Sequence, residues 1–449
     1  MTGETTLLTG WGRTAPTFAT LVRPGTPGEL AELVATAAGR GVVARGLGRA
    51  YGDAAQNAGG TVLDCTALPA AWRLDDETGL VTASAGTRLH DLMTGLLPRG
   101  RFVPVTPGTR YVTVGGMIAA DVHGKNHHVD SSFAAHVRSI TLITGDGAVR
   151  TLGPDDELFW ATAGGMGLTG VIVEATFACP KVETSRMVVD VERTRDLDHT
   201  LEAMADGDDR YRYSVAWIDL MARGARMGRG VLTRGDHATR ADLPPAARRD
   251  PLRFSAPARL AVPRGVPGGL LNPLTMRVFN EVWYGKAPRR PRRVVTGIAS
   301  FFHPLDGVRD WNRVYGPRGF VQYQFVVPFG AEDTLRRIVS TLSAKGVVSF
   351  LTVLKRFGPG TPGPLSFPMP GWTLALDIPV GPPGLARLLT EFDGWVAEAG
   401  GRIYLAKDSR ASAAAVAAMY PRLEEWRRIR DAADPRGVFR SDLARRLRL

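Results

Sequence analysis

The chain has 449 residues, too many for one compact core, and its 44% hydrophobic and 22% charged residues are typical of a globular protein with two or three domains. Only two cysteines occur, Cys65 and Cys179, which excludes a disulfide framework and a cysteine-based zinc site. A net charge of +12 would suit nucleic acid, an anionic membrane or a phosphorylated substrate, although solvated helix faces explain it equally well.

The first 185 residues alternate short strands and helices. Residues 27–41 have the apolar spacing of an amphipathic helix that ends at a glycine, and a short buried strand follows. Residues 139–152 predict a hairpin with Gly-Asp-Gly as its turn. A helix at 155–165 and a strand at 170–179 complete a mixed α+β pattern.

Residues 186–401 predict an antiparallel sheet with helices on one face. The clearest strand is 319–328, where Gln322 and Gln324 share one face and apolar residues occupy the other. The interval 238–293 is rich in Pro, Gly and Arg and shows little periodicity, so it is predicted to be a long mobile loop or lid; a loop without contacts is the alternative. Residues 402–449 form a basic C-terminal segment. Neither that segment nor 289–295 interleaves aromatic with basic residues, so no nucleic acid is expected.

Residues 164–170, GGMGLTG, contain a formal G-x-G-x-x-G. In a Rossmann site this motif follows a strand and opens a helix, whose N-terminus meets a pyrophosphate. Here it follows a predicted helix and precedes a strand. We therefore interpret it as a glycine-rich connection that packs closely against a neighbour.

Two other glycine-rich loops, 45–57 and 107–124, lie in the same α+β region. Free backbone N–H groups in the first loop could hold an anion, although an ordinary tight loop explains it equally well by itself. Taken together, the two loops could hold the two phosphates of a dinucleotide without a Rossmann helix.

The segment HGKNHH (123–128) carries three histidines within six residues. A metal site, a phosphate cradle and a histidine-rich turn are the three interpretations. A zinc hydrolase would need a general-base glutamate and a further ligand, and these histidines follow a glycine turn instead of the i, i+4 spacing of a helix. We expect no metal.

The two loops, GGMGLTGVI and the closing DPRGVFRSDLARRL resemble FAD-linked oxidases of the vanillyl-alcohol-oxidase type. Blocks spread nearly end to end, including HGKNHH, QYQFVVP, SFLTVLKRFGP and YLAKDSR, resemble the branch of that family that oxidises decaprenylphosphoryl-β-D-ribose at C2. The resemblance implies an FAD-binding domain of the PCMH type at 1–185, completed by 402–449. A substrate-binding domain at 186–401 lies between the two parts.

The resemblance also implies which residues hold FAD. The expected contacts are Ala44, Arg45, Gly46, Leu47, Gly48, Arg49, Ala50, Tyr51, Gly52 and Asp53 in the first loop, Gly108, Thr113, Val114, Gly115 and Gly116 in the second, and Ala120, His123, Val171 and Tyr404 elsewhere. Covalent members of the family often carry a histidine where this chain has Arg49. The FAD is therefore expected to be non-covalent.

The resemblance places Lys407 at the flavin, where a lysine can act as base or charge partner for the substrate hydroxyl. An ordinary surface lysine is the alternative. Tyr51 and His123 complete the implied catalytic set. The implied substrate contacts are Lys125, Trp217, Gln322, Gln324, Lys355 and Lys407. A lysine suits the anionic phosphodiester of such a substrate.

The implied reaction oxidises the ribose C2 hydroxyl to a ketone, the first half of an epimerisation to arabinose for the cell-wall arabinan of actinobacteria. A keto-reductase would be the partner and a quinone a candidate electron acceptor. The alternatives are an oxidase of free alditols or sugar lactones, and a polyprenyl-phosphate-binding protein without catalysis. No apolar run could span a bilayer and no signal peptide is seen, so peripheral membrane contact on the cytoplasmic face is expected, although the family has been placed in the periplasm.

Three positions depart from the pattern of the branch. Ala375 stands where a cysteine is usual, Phe302 where a tyrosine is expected and Thr373 where an asparagine is expected. Thiol-directed covalent inhibitors should therefore not react at position 375. The oxidation should proceed without that thiol, because hydride transfer to a flavin does not use one.

Overall fold

A computed structural model of the protein describes residues 3–449. The strands are, in chain order, β1 (Glu4–Leu8), β2 (Thr17–Val22), β3 (Val42–Arg45), β4 (Thr61–Asp64), β5 (Trp72–Leu74), β6 (Leu80–Ser84), β7 (Val137–Ile143), β8 (Val149–Leu152), β9 (Val171–Ala178), β10 (Arg186–Thr194), β11 (Tyr213–Ile218), β12 (Gly230–His237), β13 (Leu260–Ala261), β14 (Arg292–Gly297), β15 (Val308–Arg309), β16 (Phe320–Pro328), β17 (Thr352–Phe357), β18 (Gly371–Pro379) and β19 (Arg402–Ile403).

The helices are, in the same order, α1 (Pro27–Ala35), α2 (Leu89–Leu96), α3 (Val114–Ala119), α4 (His127–Asp130), α5 (Glu157–Thr162), α6 (Leu197–Ala205), α7 (Pro273–Lys286), α8 (Ile298–Phe302), α9 (Glu332–Lys345), α10 (Leu385–Glu398), α11 (Ala413–Met419), α12 (Leu423–Ala433) and α13 (Asp442–Leu447). The predicted helix at 27–41 is α1, which begins where the Thr26 side chain accepts from the backbone N–H of Glu29 and Pro27 occupies the first turn.

Two sheets form the N-terminal part of the chain. The first has the order β1-β2-β4-β3, with β2, β4 and β3 parallel, and the second has the antiparallel order β5-β6-β9-β7-β8. The predicted hairpin at 139–152 is the β7–β8 pair. The first glycine-rich loop follows β3, and the second, 107–124, contains the short helix α3.

The C-terminal segment returns to this part of the protein. Val42 of β3 forms a parallel bridge with Phe439, and the backbone N–H of Val42 donates to Val438 O at 2.8 Å. Arg446 forms ion pairs with Asp53 and Asp408, both at 2.7 Å. The Val42–Phe439 and Asp53–Arg446 contacts join segments that lie nearly 400 positions apart in the chain.

The third large sheet has the order β14-β10-β12-β11-β17-β18-β16-β19 and is antiparallel throughout. On one face of this sheet, alternate residues of the strands pack against helices α6, α9 and α10 in a single hydrophobic cluster. Examples are Tyr323 and Phe325 of β16 and Leu374 and Leu376 of β18. Because side chains alternate between faces, the intervening residues lie on the other face. The α+β class and the antiparallel sheet with helices on one face are confirmed.

This sheet begins at Arg186, the predicted start of the substrate-binding domain, but its edge strand β19 comes from residues 402–403. The sequence pattern assigns those two residues to the C-terminal segment. They join the sheet because Ile403 pairs with Phe325 of β16. The division of the chain into domains stays a prediction.

The sequence predicts a long loop at 238–293, and this prediction is wrong for part of the interval. The interval contains β13 and the 14-residue helix α7. Asn272 and Thr275 form a reciprocal capping box at the start of α7, and Pro273 occupies its first turn. The missed signal was this N-terminal cap. The helix lacked a clear periodicity because it carries apolar residues on its outer face as well as on its inner one.

Candidate active site

A cavity of about 310 Å³ of water-accessible space lies between the two glycine-rich loops and the face of the large sheet that carries no helices. The first loop and Tyr51 form one wall, the second loop and α3 another. Alternate residues of β16, β17 and β18, together with the turn at 404–407, form the third. The cavity thus joins all three parts of the chain.

The first loop is shaped for an anion. Within the described residues, the backbone N–H groups of Leu47, Gly48, Arg49 and Ala50 donate to no protein acceptor. Gly48 has φ +62°, a left-handed conformation that favours glycine, and a Cβ there would also displace the Arg45 guanidinium, whose Nη2 would lie 2.2 Å away. Successive free N–H groups in such a turn bind phosphate oxygens.

The second loop approaches the first closely. A Cβ on Gly46 would lie 2.3 Å from Thr113 Oγ1, and a Cβ on Gly115 would lie 2.9 Å from the Cβ of Ala85. Thr113 caps α3 by accepting from the backbone N–H of Gly116 at 3.3 Å. The glycine at 46 therefore lets the first loop approach the second closely, and the glycine at 115 lets the second loop pack against the end of β6.

Two buried donors in the wall, Arg49 Nε and His123 Nδ1, have no partner in the part of the chain that the structure describes. The Arg49 guanidinium lies 3.9 Å from the ring centroid of Trp11, and burial lowers its pKa. A bound molecule with acceptor groups would satisfy both donors. The free N–H groups, the paired loops and these donors fit a dinucleotide such as FAD.

His123 is held as a neutral imidazole by a directed hydrogen-bond network. Thr373 Oγ1 donates to Phe325 O at 2.8 Å, so its oxygen must accept from the Gln324 amide at 3.2 Å. The Gln324 nitrogen therefore faces His123 Nε2, at 2.9 Å, and donates to it. Since Nε2 accepts, the imidazole proton is on Nδ1. Burial lowers the pKa of His123 well below its usual value, which also favours the neutral ring.

Lys407 and Lys355 both line the cavity. The Lys407 Nζ lies 3.9 Å from the centroid of the Tyr51 ring. Burial lowers the pKa of Lys407, although the nearby Asp377 carboxylate offsets part of that effect, and burial lowers the pKa of Lys355 to about 8. A buried amine of this kind is available as a base near neutral pH.

Asp377 is a buried carboxylate that the sequence analysis missed. It accepts from the Gln322 amide and, at 3.5 Å, from the Tyr315 hydroxyl. Burial raises its pKa. The alternation of strand 371–379 could have revealed this residue. Asp377 lies on the same face of the sheet as Thr373 and Ala375, and it pairs with Gln322 on the neighbouring strand.

Most of the predicted FAD and substrate contacts line this cavity. They are Ala44, Arg45, Gly46, Leu47, Gly48, Arg49, Ala50, Tyr51, Gly108, Thr113, Gly115, Gly116, Ala120, His123, Tyr404, Gln322, Gln324, Lys355 and Lys407. Their roles stay predictions, but the chain brings them to one place.

Four predicted FAD contacts stand behind the wall. Gly52 lies against Asp408, whose carbonyl oxygen would be 2.1 Å from a Cβ at that position, and Asp53 pairs with Arg446. Val114 and Val171 are buried in the core clusters of the N-terminal part. These residues support the loops from behind instead of facing the cavity.

Two predicted substrate contacts also lie off the cavity wall. Lys125 donates to Phe301 O, its Nζ is 4.5 Å from the Phe301 ring centroid, and burial lowers its pKa to about 7. Trp217 of β11 pairs with Val353, which lines the cavity, so Trp217 lies on the cavity face of the sheet, one strand further along.

The cavity wall also contains residues that the sequence analysis did not single out. Those that line it include Trp11, Pro107, Met166, Gly167, Leu305, Trp311, Leu351 and Val353. Trp11 and Trp311 pack edge to face at 5.8 Å, although they are 300 positions apart. No local pattern predicts such a pair.

The three departures from the family pattern occupy different places. Ala375 lines the cavity and Thr373 directs the Gln324 amide behind it. Phe302 is buried in an aromatic cluster, edge to face with Tyr213 at 4.9 Å, and does not line the cavity.

Within residues 3–449, no group of three or more His, Cys, Asp or Glu side chains could hold a metal ion. In the histidine-rich segment, His127 packs on Phe357 at 4.4 Å between ring centroids. His128 Nε2 lies 2.9 Å from Tyr211 O; since a carbonyl only accepts, that nitrogen donates. The same range contains no helix long and apolar enough to cross a bilayer.

Comparison with known proteins places the chain among flavoproteins. A family model described as an FAD binding domain matches residues 18–153, and one described as D-arabinono-1,4-lactone oxidase matches residues 376–447. The first match contains both glycine-rich loops. The chain is therefore an FAD-dependent oxidoreductase.

Three relatives show how far the similarity extends. The chain is 49% identical to the decaprenylphosphoryl-β-D-ribose oxidase of Mycolicibacterium smegmatis over 98% of this chain and 97% of the relative. It is 25% identical to an alditol oxidase of a Streptomyces species over 98% of this chain and 99% of the relative. It is 30% identical to the L-gulono-1,4-lactone dehydrogenase of Mycobacterium tuberculosis over 43% of this chain and 45% of the relative. Because the first similarity runs the length of both chains, the protein belongs to the decaprenylphosphoryl-β-D-ribose oxidase family of FAD-linked oxidases.

Proposed function

We propose that the protein oxidises the C2 hydroxyl of decaprenylphosphoryl-β-D-ribose to a ketone. The observation that carries this proposal is the 49% identity to an oxidase of that name over 98% of the chain. The similarity thus includes the strands of the large sheet that line the cavity as well as the glycine-rich loops. FAD, when bound, supplies the two-electron acceptor for the hydride.

Residues 1–185 and 402–449 hold FAD in this proposal, and residues 186–401 hold the substrate. The free N–H groups of the first loop receive the pyrophosphate, and Arg49 Nε and His123 Nδ1 donate to acceptors of the bound molecules. Gly52, Asp53, Val114 and Val171 act indirectly, by fixing the positions of the two loops.

Lys407 removes the proton of the substrate hydroxyl as the hydride departs. Its lowered pKa leaves a substantial share of free amine near neutral pH, and a base with a pKa near the working pH transfers protons most effectively. Tyr51 holds the amine over its ring. His123 is a neutral donor that helps to orient the bound molecules, because its Nε2 is already engaged by Gln324.

The phosphodiester of the substrate lies toward Lys355 and Lys125. Both lysines are partly buried, burial lowers the pKa of each, and within the described residues neither forms a salt bridge with a carboxylate. A buried cation without a counter-ion is costly, and an anionic ligand would relieve that cost. Gln322 and Gln324 contact the ribose, and Trp217, on the same face one strand away, marks the path of the lipid.

The ketone that this reaction yields needs a second enzyme. A keto-reductase that reduces it from the opposite side would complete the epimerisation to the arabinose needed for cell-wall arabinan. A quinone is the proposed acceptor for the electrons taken from the substrate. Both partners suit an enzyme in peripheral contact with a membrane, on its cytoplasmic face or in the periplasm.

Anaerobic bleaching of the bound flavin tests the proposal. A short-chain polyprenylphosphoryl ribose should bleach the flavin absorbance, whereas a free alditol and a sugar lactone at the same concentration should not. The matched polyprenylphosphoryl arabinose, which differs at C2, is the stereochemical control. Bleaching by the alditol or the lactone alone would replace this function by the oxidation of free sugars.

A further inference from the structure

Helix α7 has an apolar face that none of residues 3–449 covers. Leu274, Val278 and Val282 recur every four residues, so they lie along one side of the helix. Their exposed fractions are 71%, 59% and 52%. Met276 and Asn280, which are buried, lie on the opposite side. A helix in water normally shows a polar outer face, so this stripe indicates a non-aqueous neighbour.

Basic residues flank the stripe in the sequence. The segment 253–293 contains nine Arg and Lys residues and a single acidic residue, Glu281, which gives it +8 of the net charge of +12. Glu281 is paired with Arg229 at 2.6 Å. Among the described residues, Arg289, Arg290 and Arg292 are exposed and form no ion pair. The cationic charge at the end of the helix is therefore free to meet an anionic surface.

The helix is fixed to the body by its inner side. Asn280 donates to Asp219 at 2.6 Å, and the Phe279 ring packs on Phe350 at 5.3 Å. The stripe therefore projects from a rigid support, which favours shallow insertion over wrapping around a partner.

The same inner side adjoins the cavity. Leu271 and Phe350 pack both against the cluster that contains Met276 and against the cluster of Tyr51, Tyr315 and Phe320. Tyr51 lines the cavity, and so does Leu351, the neighbour of Phe350. A long apolar chain that leaves the cavity on this side would emerge beside α7.

We infer that the outer face of α7 and the arginines of 289–292 form a docking surface for an anionic lipid bilayer. The aliphatic stripe inserts at the boundary between headgroups and acyl chains, while the arginines contact anionic headgroups. The inference rests on the proposed function in one respect: a polyprenyl-phosphate substrate resides in such a bilayer, so a surface beside the cavity mouth would receive it directly.

Vesicle sedimentation of the FAD-loaded full-length protein tests this surface. Wild type should sediment with vesicles of phosphatidylglycerol and phosphatidylcholine in equal parts, less so at high salt, and weakly with phosphatidylcholine alone. Val278→Ser should weaken binding about fivefold through lost apolar burial. Val149→Ser is the matched control, since Val149 is also 59% exposed but lies on β8. The doubly substituted Arg289→Gln, Arg290→Gln should weaken binding roughly 25-fold, at about fivefold for each arginine.

The arginine pair has its own control, Arg73→Gln with Arg138→Gln, two exposed arginines of the N-terminal part. The inference would be overturned if wild type stayed in the supernatant with anionic vesicles. It would also be overturned if the test variants and their controls bound the vesicles equally well. If wild type were a dimer that did not bind vesicles, and Val278→Ser made it a monomer, a second copy of the chain would cover the stripe instead. Flavin bleaching by a soluble short-chain substrate is measured on the same samples. Bilayer binding without bleaching would refute the proposed function and leave the docking surface standing.

Discussion

The amine of Lys407 lies 3.9 Å from the centre of the Tyr51 ring, inside the cavity that fits FAD. Burial favours the neutral amine, whereas the electron-rich face of the ring and the Asp377 carboxylate favour the ammonium form. The two tendencies oppose each other, so a modest change around Lys407 should shift its pKa measurably.

Replacement of Lys407 tests its role as base. Lys407→Met keeps much of the side-chain volume but removes the amine, and we expect kcat to fall by about 10²- to 10⁴-fold. Bound flavin and thermal unfolding should change little, which separates loss of chemistry from loss of the site. Near-normal turnover in Lys407→Met would exclude the lysine from the proton transfer.

Asp377 should set the pH at which turnover appears. Turnover rises as Lys407 loses its proton, so the acid limb of the pH–rate profile reports the lysine pKa. The Asp377 carboxylate raises that pKa, so Asp377→Asn should move the acid limb to lower pH. Lys407→Met should lack this limb. A limb that stays in place, or one that moves to higher pH in Asp377→Asn, would contradict the proposed coupling.

Thr373 should fix the tautomer of His123. Thr373→Val removes the hydroxyl that accepts from Gln324 and donates to Phe325 O, at a cost of about 1–3 kcal/mol in unfolding free energy. The Gln324 amide is then free to turn its oxygen toward His123. The ¹⁵N shifts of His123 should change from a ring protonated on Nδ1 toward one protonated on Nε2. Thr373→Ser, which keeps the hydroxyl, should retain the wild-type shifts.

Ala375→Cys should make the cavity sensitive to thiol-directed covalent inhibitors without slowing turnover. Ala375 lines the cavity, so a thiol there would face a bound inhibitor. Cys65 also borders the cavity, but burial raises its pKa to about 12 and leaves it inert, as it does for Cys179. Intact-mass measurement should show one adduct in Ala375→Cys and none in wild type. An adduct on wild type would place a reactive thiol elsewhere.

The FAD should be released when the protein is denatured. Arg49 occupies the loop position where covalent relatives often carry a histidine, and its side chain stacks on Trp11 instead of offering a nucleophile. Acid precipitation should leave the yellow colour in the supernatant. Colour retained in the pellet would indicate a covalent bond to another residue.

Local sequence patterns predicted the parts of the site that lie within one loop or one strand. The glycines at 46, 48 and 115 stand where a Cβ would lie too close to a neighbouring side chain, and the alternation of 319–328 predicted that Gln322 and Gln324 share a face. Steric and periodic constraints of this kind act over a few residues. They are therefore readable in the sequence.

Contacts between distant segments were not readable in this way. Asp377 acquires its partners from β16 and from Tyr315, and Trp11 meets Trp311 only after the sheets have assembled. Lys125 follows the second loop, yet its side chain turns to Phe301 on another element. The helix α7 was missed for a different reason, because its outward apolar stripe obscured the usual amphipathic pattern.

The C-terminal segment has a consequence for how the protein is made. Phe439 bridges β3, and Arg446 pairs with Asp53 inside the first glycine-rich loop. These contacts cannot form until residues 439 and 446 have left the ribosome. The loop proposed to receive the pyrophosphate is thus completed last, so a nascent or prematurely terminated chain should be unable to retain its flavin, and cofactor loading should follow synthesis instead of accompanying it.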